Sequence, residues 1–180
     1  MMTRGFIVGL LVAVGVTAND HVAACGDKYL NLGIGTRFDR SPAERRAAGI
    51  LLYAAPGTDL ARTLPALSVE DGLKKAGYQP TVATTTAQFD AALRARAWDV
   101  IVLDGRDSER VSQRVAKTGG PRVVPVLAQP TKEELKQARK TYEIVLANPS
   151  KSRVFVEAVD DALDLHEIEA LAAAKNARKH

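Results

Sequence analysis

From residue 49 onward, short apolar runs alternate with longer amphipathic segments. Short runs that are rich in β-branched residues and bounded by Gly, Pro or Asp are typical of strands buried on both faces. The runs that fit this description are Ile50–Tyr53, Gln79–Ala83, Val100–Asp104, Val123–Leu127 and Glu143–Leu146. The third run is predicted to be the central strand, and it ends in a carboxylate that is followed by a glycine.

The segments between these runs have helical spacing and recognisable helix boundaries. One helix is predicted from Pro65 to Ala76 with Gly77 as its stop, and the next runs from Thr86, its cap, to Arg96. A third is predicted to start at Asp107 or Ser108 and to end at Gly119-Gly120. The last two are predicted to follow the capping box Thr131–Glu134 and to begin near Ser152, with an inward face formed by Phe155, Val159, Ala162 and His166.

Strands that alternate with helices through short loops predict a parallel sheet with helices on both faces. Right-handed crossovers then favour an α/β fold with a doubly wound, five-stranded parallel sheet. This domain is predicted to span 49–166, and 167–180 form a C-terminal helix end and a fraying tail. Residues 25–48 are predicted to be an N-terminal extension that contains a short strand, Lys28–Leu32, a glycine-rich turn and a basic linker.

Residues 1–24 have the pattern of a signal peptide. Arg4 precedes the apolar run Gly5–Ala18, which is shorter than the about 20 residues that a membrane-spanning helix needs. Cleavage is expected after Ala18 or after Ala24. A buried N-terminal helix or strand is the alternative interpretation. We therefore expect a periplasmic or secreted protein.

Cys25 is the only cysteine of the chain, so an internal disulfide is excluded. Together with Val22, Ala23 and Ala24 it resembles a bacterial lipobox, in which the cysteine becomes the lipidated first residue. Cys25 is therefore a lipidation candidate, and this lipid would be the only expected contact with a membrane.

Composition narrows the function classes further. The net charge is +4, and the Lys and Arg residues are spread along the chain without a nucleic-acid-binding motif, so no nucleic-acid partner is expected. His166 has no second His or Cys at metal-ligand spacing, so no metal is expected. No cofactor motif is present.

The central strand and its neighbours resemble the receiver domain of two-component response regulators, which has a flavodoxin-like fold. Asp99–Gly105 is similar to the receiver's third strand, which ends in the phosphate-accepting aspartate. Ile50–Pro56 is similar to the first strand, Pro125–Leu127 to the fourth and Ile144–Pro149 to the fifth, which in receivers ends in a Lys-Pro step with a cis peptide. The resemblance covers about 50–163 and implies a receiver-like fold.

The resemblance does not extend to receiver chemistry. Receivers use two acidic residues after the first strand to hold Mg²⁺, a lysine before the proline, and a hydroxyl after the fourth strand. The matching positions here are Ala54, Ala55, Asn148 and, for the hydroxyl, Ala128 or Pro130. Only Asp104 remains, and a lone carboxylate lacks the cations that phosphoryl transfer requires.

The expected function is therefore that of an exported, non-enzymatic pseudo-receiver that binds a protein or an envelope component. Receivers use the surface of the fourth and fifth strands and the helix between them for partners, which implies Lys132, Gln137 and Tyr142. A different function class, a small-anion or nucleotide-binding domain or a weak enzyme, would use the carboxyl edge of the sheet. That edge comprises Ala54, Ala55, Asp104, Ala128 and Asn148. A residual phospho-acceptor at Asp104 is a third hypothesis.

Overall fold

The computed structural model describes residues 40–115 and 120–177. Several predictions lie outside the described residues: the signal peptide with both cleavage sites, Cys25, the strand Lys28–Leu32, the glycine-rich turn and Gly119. Within the described helices, none is long and apolar enough to cross a membrane.

The domain is built on a parallel sheet with the strand order β2-β1-β3-β4-β5. The strands are β1 (Ile50–Tyr53), β2 (Thr81–Ala83), β3 (Val100–Asp104), β4 (Arg122–Leu127) and β5 (Leu146–Ala147). β3 lies in the centre, and all of its residues are buried. The predicted five-stranded, doubly wound α/β fold is confirmed, and this strand order is the flavodoxin-like one.

Helices connect the strands and cover both faces of the sheet. They are α1 (Pro42–Ala47), α2 (Asp59–Ala66), α3 (Val69–Lys75), α4 (Thr86–Ala95), α5 (Gly105–Val115), α6 (Lys132–Thr141) and α7 (Ser152–Ala177). Leu60, Leu73 and Phe155 bring α2, α3 and α7 onto one face. Phe89 and Val111 bring α4 and α5 onto the other. Alternate residues of β3 face opposite layers, because side chains alternate along a strand.

Local capping chemistry confirms two predictions, the capping box Thr131–Glu134 and the helix stop at Gly77. The side chains of Ser41 and Thr131 each cap a helix start, and each forms a reciprocal capping box with the glutamate three residues later. Gly77 follows the end of α3 with φ +97°, a conformation that favours glycine. These features depend on neighbouring residues alone, so they can be recognised in the sequence.

The helix predicted from Pro65 to Ala76 is wrong in its start and in its continuity. The chain forms two helices there, α2 and α3, because Ser68 between them takes a left-handed conformation with φ 50°. Pro65 lies near the end of α2 and not at a helix start. The start signal that the prediction missed is Thr58, whose hydroxyl accepts a hydrogen bond from the Ala61 amide.

Other boundaries also differ from the predictions. Thr85, and not Thr86, caps α4. Helix α5 begins at Gly105, directly after the central strand, so neither Asp107 nor Ser108 caps it. The second strand begins at Thr81 and not at Gln79, the fourth begins one residue early, and the fifth comprises Leu146–Ala147 alone. Ile144 and Val145 are buried, as residues of a core strand would be, but only Leu146 and Ala147 pair with β4. Their apolar character therefore did not show that they precede the strand.

Helix α1 is attached to the domain by ion pairs. Arg40, just before it, contacts Asp164 and Glu167 of α7, each at 2.5 Å, and its side chain is 7% exposed. Arg45 donates to the Ala76 carbonyl at 3.0 Å and lies 3.5 Å from the Asp160 carboxylate. The basic character of this segment therefore serves packing against α7 as well as solvation.

Candidate functional site

The carboxyl edge of the sheet contains one buried carboxylate, that of Asp104, which is 3% exposed. Its Oδ2 accepts hydrogen bonds from the amides of Asp59 at 3.0 Å and Leu60 at 3.2 Å. Both amides belong to the first turn of α2, where the free N–H groups and the helix dipole attract an anion. Asp104 therefore supplies the anion for this helix start from within the protein.

The second oxygen of Asp104 is occupied as well. Its Oδ1 accepts from the amide and from the guanidinium Nε of Arg106, both at 3.1 Å. Arg106 lies in the first turn of α5, so the same carboxylate joins the starts of two helices. A carboxylate with both oxygens bonded in this way is held in place by the fold.

A chain of alternating charges surrounds this carboxylate. Arg106 also approaches Asp59 at 3.4 Å, and Asp59 pairs with Arg62. Hydrogen bonding to Asp104, together with its negative charge, raises the pKa of Arg106. The charges of Asp59, Arg62, Asp104 and Arg106 sum to zero, so the cluster presents no surplus cation to an incoming anion.

The alanines that follow β1 lie beside this carboxylate. Tyr53 pairs with Leu103, so Ala54 continues next to Asp104 in the parallel register. Ala54 is buried, and its amide donates to the Ala83 carbonyl at 2.9 Å. The Ala55 carbonyl accepts from the Thr58 hydroxyl at 2.7 Å. These positions shape the turn into α2, and both alanines pack with the hydrophobic core.

Ala128 and Asn148 follow the ends of β4 and β5. The Asn148 amide donates to the Leu127 carbonyl at 2.8 Å, and Asn148 itself takes a left-handed conformation with φ 48°. The peptide bond that leads to Pro149 is trans, in contrast to the receiver feature. The structure thus brings the strand ends together at one edge, as the sequence predicts for parallel strands.

An open cavity of about 380 Å³ lies at this edge, between α2 and the loops after β4 and β5. Its walls are formed by Asp59, Arg62, Thr63, Ala66, Leu67, Ala128, Gln129 and Pro149. Asp104 is not among the lining residues. The cavity wall therefore includes Asp59, whose amide binds Asp104, but not the buried carboxylate itself.

The predicted partner surface lies on α6 and at its end. Lys132 and Gln137 are exposed, whereas Tyr142 is half-buried, with its hydroxyl 3.3 Å from that of Ser112. Tyr142 and His166 also line an open cavity of about 800 Å³ at the opposite, amino edge of the sheet. Helix α6 has no fully buried residue, and its Leu135 and Ala138 are half-buried.

The arrangement at Asp104 gives little support for covalent chemistry. Attack on a phosphoryl group requires a carboxylate oxygen that is free to approach phosphorus, together with cations that neutralise the developing charge. Both oxygens of Asp104 already accept hydrogen bonds. In the described ranges, 40–115 and 120–177, no three His, Cys, Asp or Glu side chains form a metal-binding group.

Sequence reasoning missed the roles of Arg106 and of Asp59. A cation placed two residues after a strand-terminal aspartate, at the start of a helix, was the available signal for Arg106. The Asp59 amide binds Asp104 because it lies in the first turn of α2, and the sequence analysis did not predict a helix start there.

The domain has a receiver-like, flavodoxin-like fold. It is similar to the crystal structure of a response regulator from Thermotoga maritima, with a TM-score of 0.50 and 15% identity, over 65% of this chain and 98% of that chain. At this identity the likeness establishes the fold alone. No protein-family model matches the chain, and no curated protein matches it in sequence.

Proposed function

We propose that this chain is a non-enzymatic, receiver-like binding module that acts outside the cytoplasm and contacts a protein or an envelope component. The observation that carries the proposal is the occupation of both Asp104 oxygens by amides of the protein and by Arg106. A receiver aspartate acts through a free carboxylate. Here the carboxylate serves the fold, which leaves binding through the outer surface as the function that fits best.

The partner surface in this proposal consists of Lys132, Gln137 and Tyr142. Lys132 and Gln137 are exposed on a helix that contributes no fully buried residue to the core. Within the described part of the chain, Lys132 forms no ion pair. An exposed ammonium group of this kind can pair with a carboxylate or phosphate of a partner, and Tyr142, at the other end of the same helix, can add apolar contact area.

The test is co-purification from the native host with two matched variants. The test variant combines Lys132→Ala, Gln137→Ala and Tyr142→Ala. The control variant combines Asp71→Ala, Lys75→Ala and Arg94→Ala, which are exposed positions elsewhere on the domain. We expect the first variant to lose bound partners that the control retains, with folding of each checked by thermal unfolding. If the two folded variants recover the same partners in the same amounts, the proposed surface is wrong.

Export in this proposal rests on Arg4 and the apolar run Gly5–Ala18. The intact mass of the protein from native membrane and soluble fractions tests it. We expect a chain that begins at Asn19, or one that begins at a lipidated Cys25. A mass that corresponds to all 180 residues in both fractions would contradict export.

A small-ligand site is the second candidate function, because polar residues, Arg62, Thr63 and Gln129, are among those that line the 380 Å³ cavity. The α2 amides that could hold an anion already bind Asp104, so a ligand would have to use the side chains of this cavity. A thermal-shift screen with phosphate, nucleotides and flavins tests this function. If no compound in the screen raises the melting temperature of the protein, these ligand classes are ruled out.

A further inference from the structure

The C-terminal half of α7 has an apolar patch without a partner among the described residues. Ile168 is 50% exposed and Leu171 is 72% exposed, and they are the large apolar side chains that stand in solvent within the described ranges. Leu165, one turn earlier, is still buried in the core. The patch, defined here as Ile168 and Leu171, therefore begins where α7 leaves the sheet.

The patch lies on the same side of α7 that receives the N-terminal segment. At about 100° per residue, Asp160, Asp164, Ile168 and Leu171 fall within an arc of about 80°. Asp160 and Asp164 on this side accept Arg45 and Arg40. The patch is thus the continuation of a surface that α1 and its flanking residue already cover.

The ion pairs also give the direction of the chain. Arg45 contacts α7 at Asp160, and Arg40, five residues earlier in the sequence, contacts it at Asp164 and Glu167. The segment that contains Arg40 and Arg45 therefore runs antiparallel to α7, so that its earlier residue contacts the later part of the helix. A chain that continues in this direction before Arg40 would run towards the patch.

The distances fit a specific occupant. An extended chain spans about 3.3 Å per residue, so Phe38, two residues before Arg40 in the sequence, could reach at most about 7 Å beyond it. That length corresponds to between four and five positions of a helix that rises about 1.5 Å per residue, enough to reach from Glu167 to Leu171. Phe38 is an apolar residue, and either expected cleavage of the leader leaves it in the chain.

We propose that the segment before Arg40 lies along α7 and that Phe38 covers Ile168 and Leu171. The N-terminal extension would then be part of the folded domain from Phe38 onward. A second copy of the chain is a less suitable occupant, because a stable interface buries about 800 Å² per partner, and two side chains provide only a small fraction of that area. The patch matches a single aromatic side chain better.

Paired cysteines in the full chain test this proposal, with Cys25→Ser to remove the native thiol. Phe38→Cys is combined with Leu171→Cys in the test variant and with Ala170→Cys in the control, because Ala170 lies on another side of α7 at almost the same height. Under mild oxidation we expect an intramolecular disulfide to form at least about tenfold faster in the test variant, since docking raises the local thiol concentration.

Each alternative has its own outcome. Equal rates for the two variants would mean that the segment is not docked, and the proposal would be overturned. A disulfide that forms only between two chains, and faster at higher protein concentration, would assign the patch to a second copy. Arg40→Ala is then added to the test variant. If the intramolecular disulfide is lost while the melting curve stays cooperative, the result would support a role of the Arg40 ion pairs in positioning the segment.

Discussion

The Asp104 carboxylate accepts a hydrogen bond from the Asp59 amide at 3.0 Å, which ties the end of the central strand to the start of a helix that follows a different strand. The other oxygen of Asp104 accepts a hydrogen bond from the Arg106 amide, which ties the same strand end to α5, the helix that directly follows it. One buried carboxylate thus stabilises two helix starts at the edge where a receiver would hold its phosphoryl group. The position of the residue is receiver-like, and its bonding is structural.

We expect Asp104→Ala to lower the free energy of unfolding by about 2–3 kcal/mol. The substitution removes charge-assisted hydrogen bonds and leaves the amides of Asp59 and Leu60 without their acceptor. Asp104→Asn, which keeps one acceptor oxygen, should lose less. Urea denaturation measures these values. Asp90→Ala is the control, because Asp90 forms a surface pair with Arg114 that should contribute about 1 kcal/mol or less. Equal stability of Asp104→Ala and wild type would contradict a structural role.

Incubation with acetyl phosphate and Mg²⁺ should leave the mass of the protein unchanged. Attack by Asp104 would require breaking the hydrogen bonds that both oxygens accept, and the charges of Arg62 and Arg106 are already balanced by those of Asp59 and Asp104. Intact-mass spectrometry after short incubation measures the product, with a competent receiver protein as positive control. A phosphoryl adduct that Asp104→Asn abolishes would restore the phospho-acceptor hypothesis.

Gly72→Ala should destabilise the domain by about 1–3 kcal/mol, although alanine favours helices more than glycine does. A Cβ at position 72 would lie 2.6 Å from the Cβ of Ser152, so α3 and α7 would have to separate. The double variant with Ser152→Gly removes the facing atoms and should regain most of the loss. Chemical denaturation of the single and double variants measures this effect. A double variant as unstable as Gly72→Ala would exclude the close contact as the cause.

The stability of the protein should fall more steeply above pH 10 than that of a Tyr78→Phe variant. Burial, and then the hydrogen bond to Asp160, raise the pKa of Tyr78. The unfolded chain releases this proton near pH 10 and the folded chain does not, so stability is full below pH 10 and declines above it by about 1.4 kcal/mol per pH unit. Denaturation at pH 8 to 11 gives both curves. Parallel curves for the two proteins would contradict the prediction.

Much of the fold could be predicted from the sequence because its signals are local. The β-branched run of β3, the capping box at Thr131, and Gly77 at the end of α3 each act within a few residues. Burial on both faces makes the strand signal strong, and the alternation of strands with helices then restricts the topology.

The candidate site could be located but its bonding could not. The sequence places Asp104, Ala54 and Asn148 at the ends of three strands on the same carboxyl edge, which follows from a parallel sheet alone. Only the tertiary structure decided that the carboxylate binds the first turn of α2, because that contact joins residues 45 positions apart. It also decided that Arg40 is buried against α7, since an ion pair between distant segments has no local pattern. Secondary structure depends on near neighbours, whereas the partners of a charged side chain depend on how the whole chain packs.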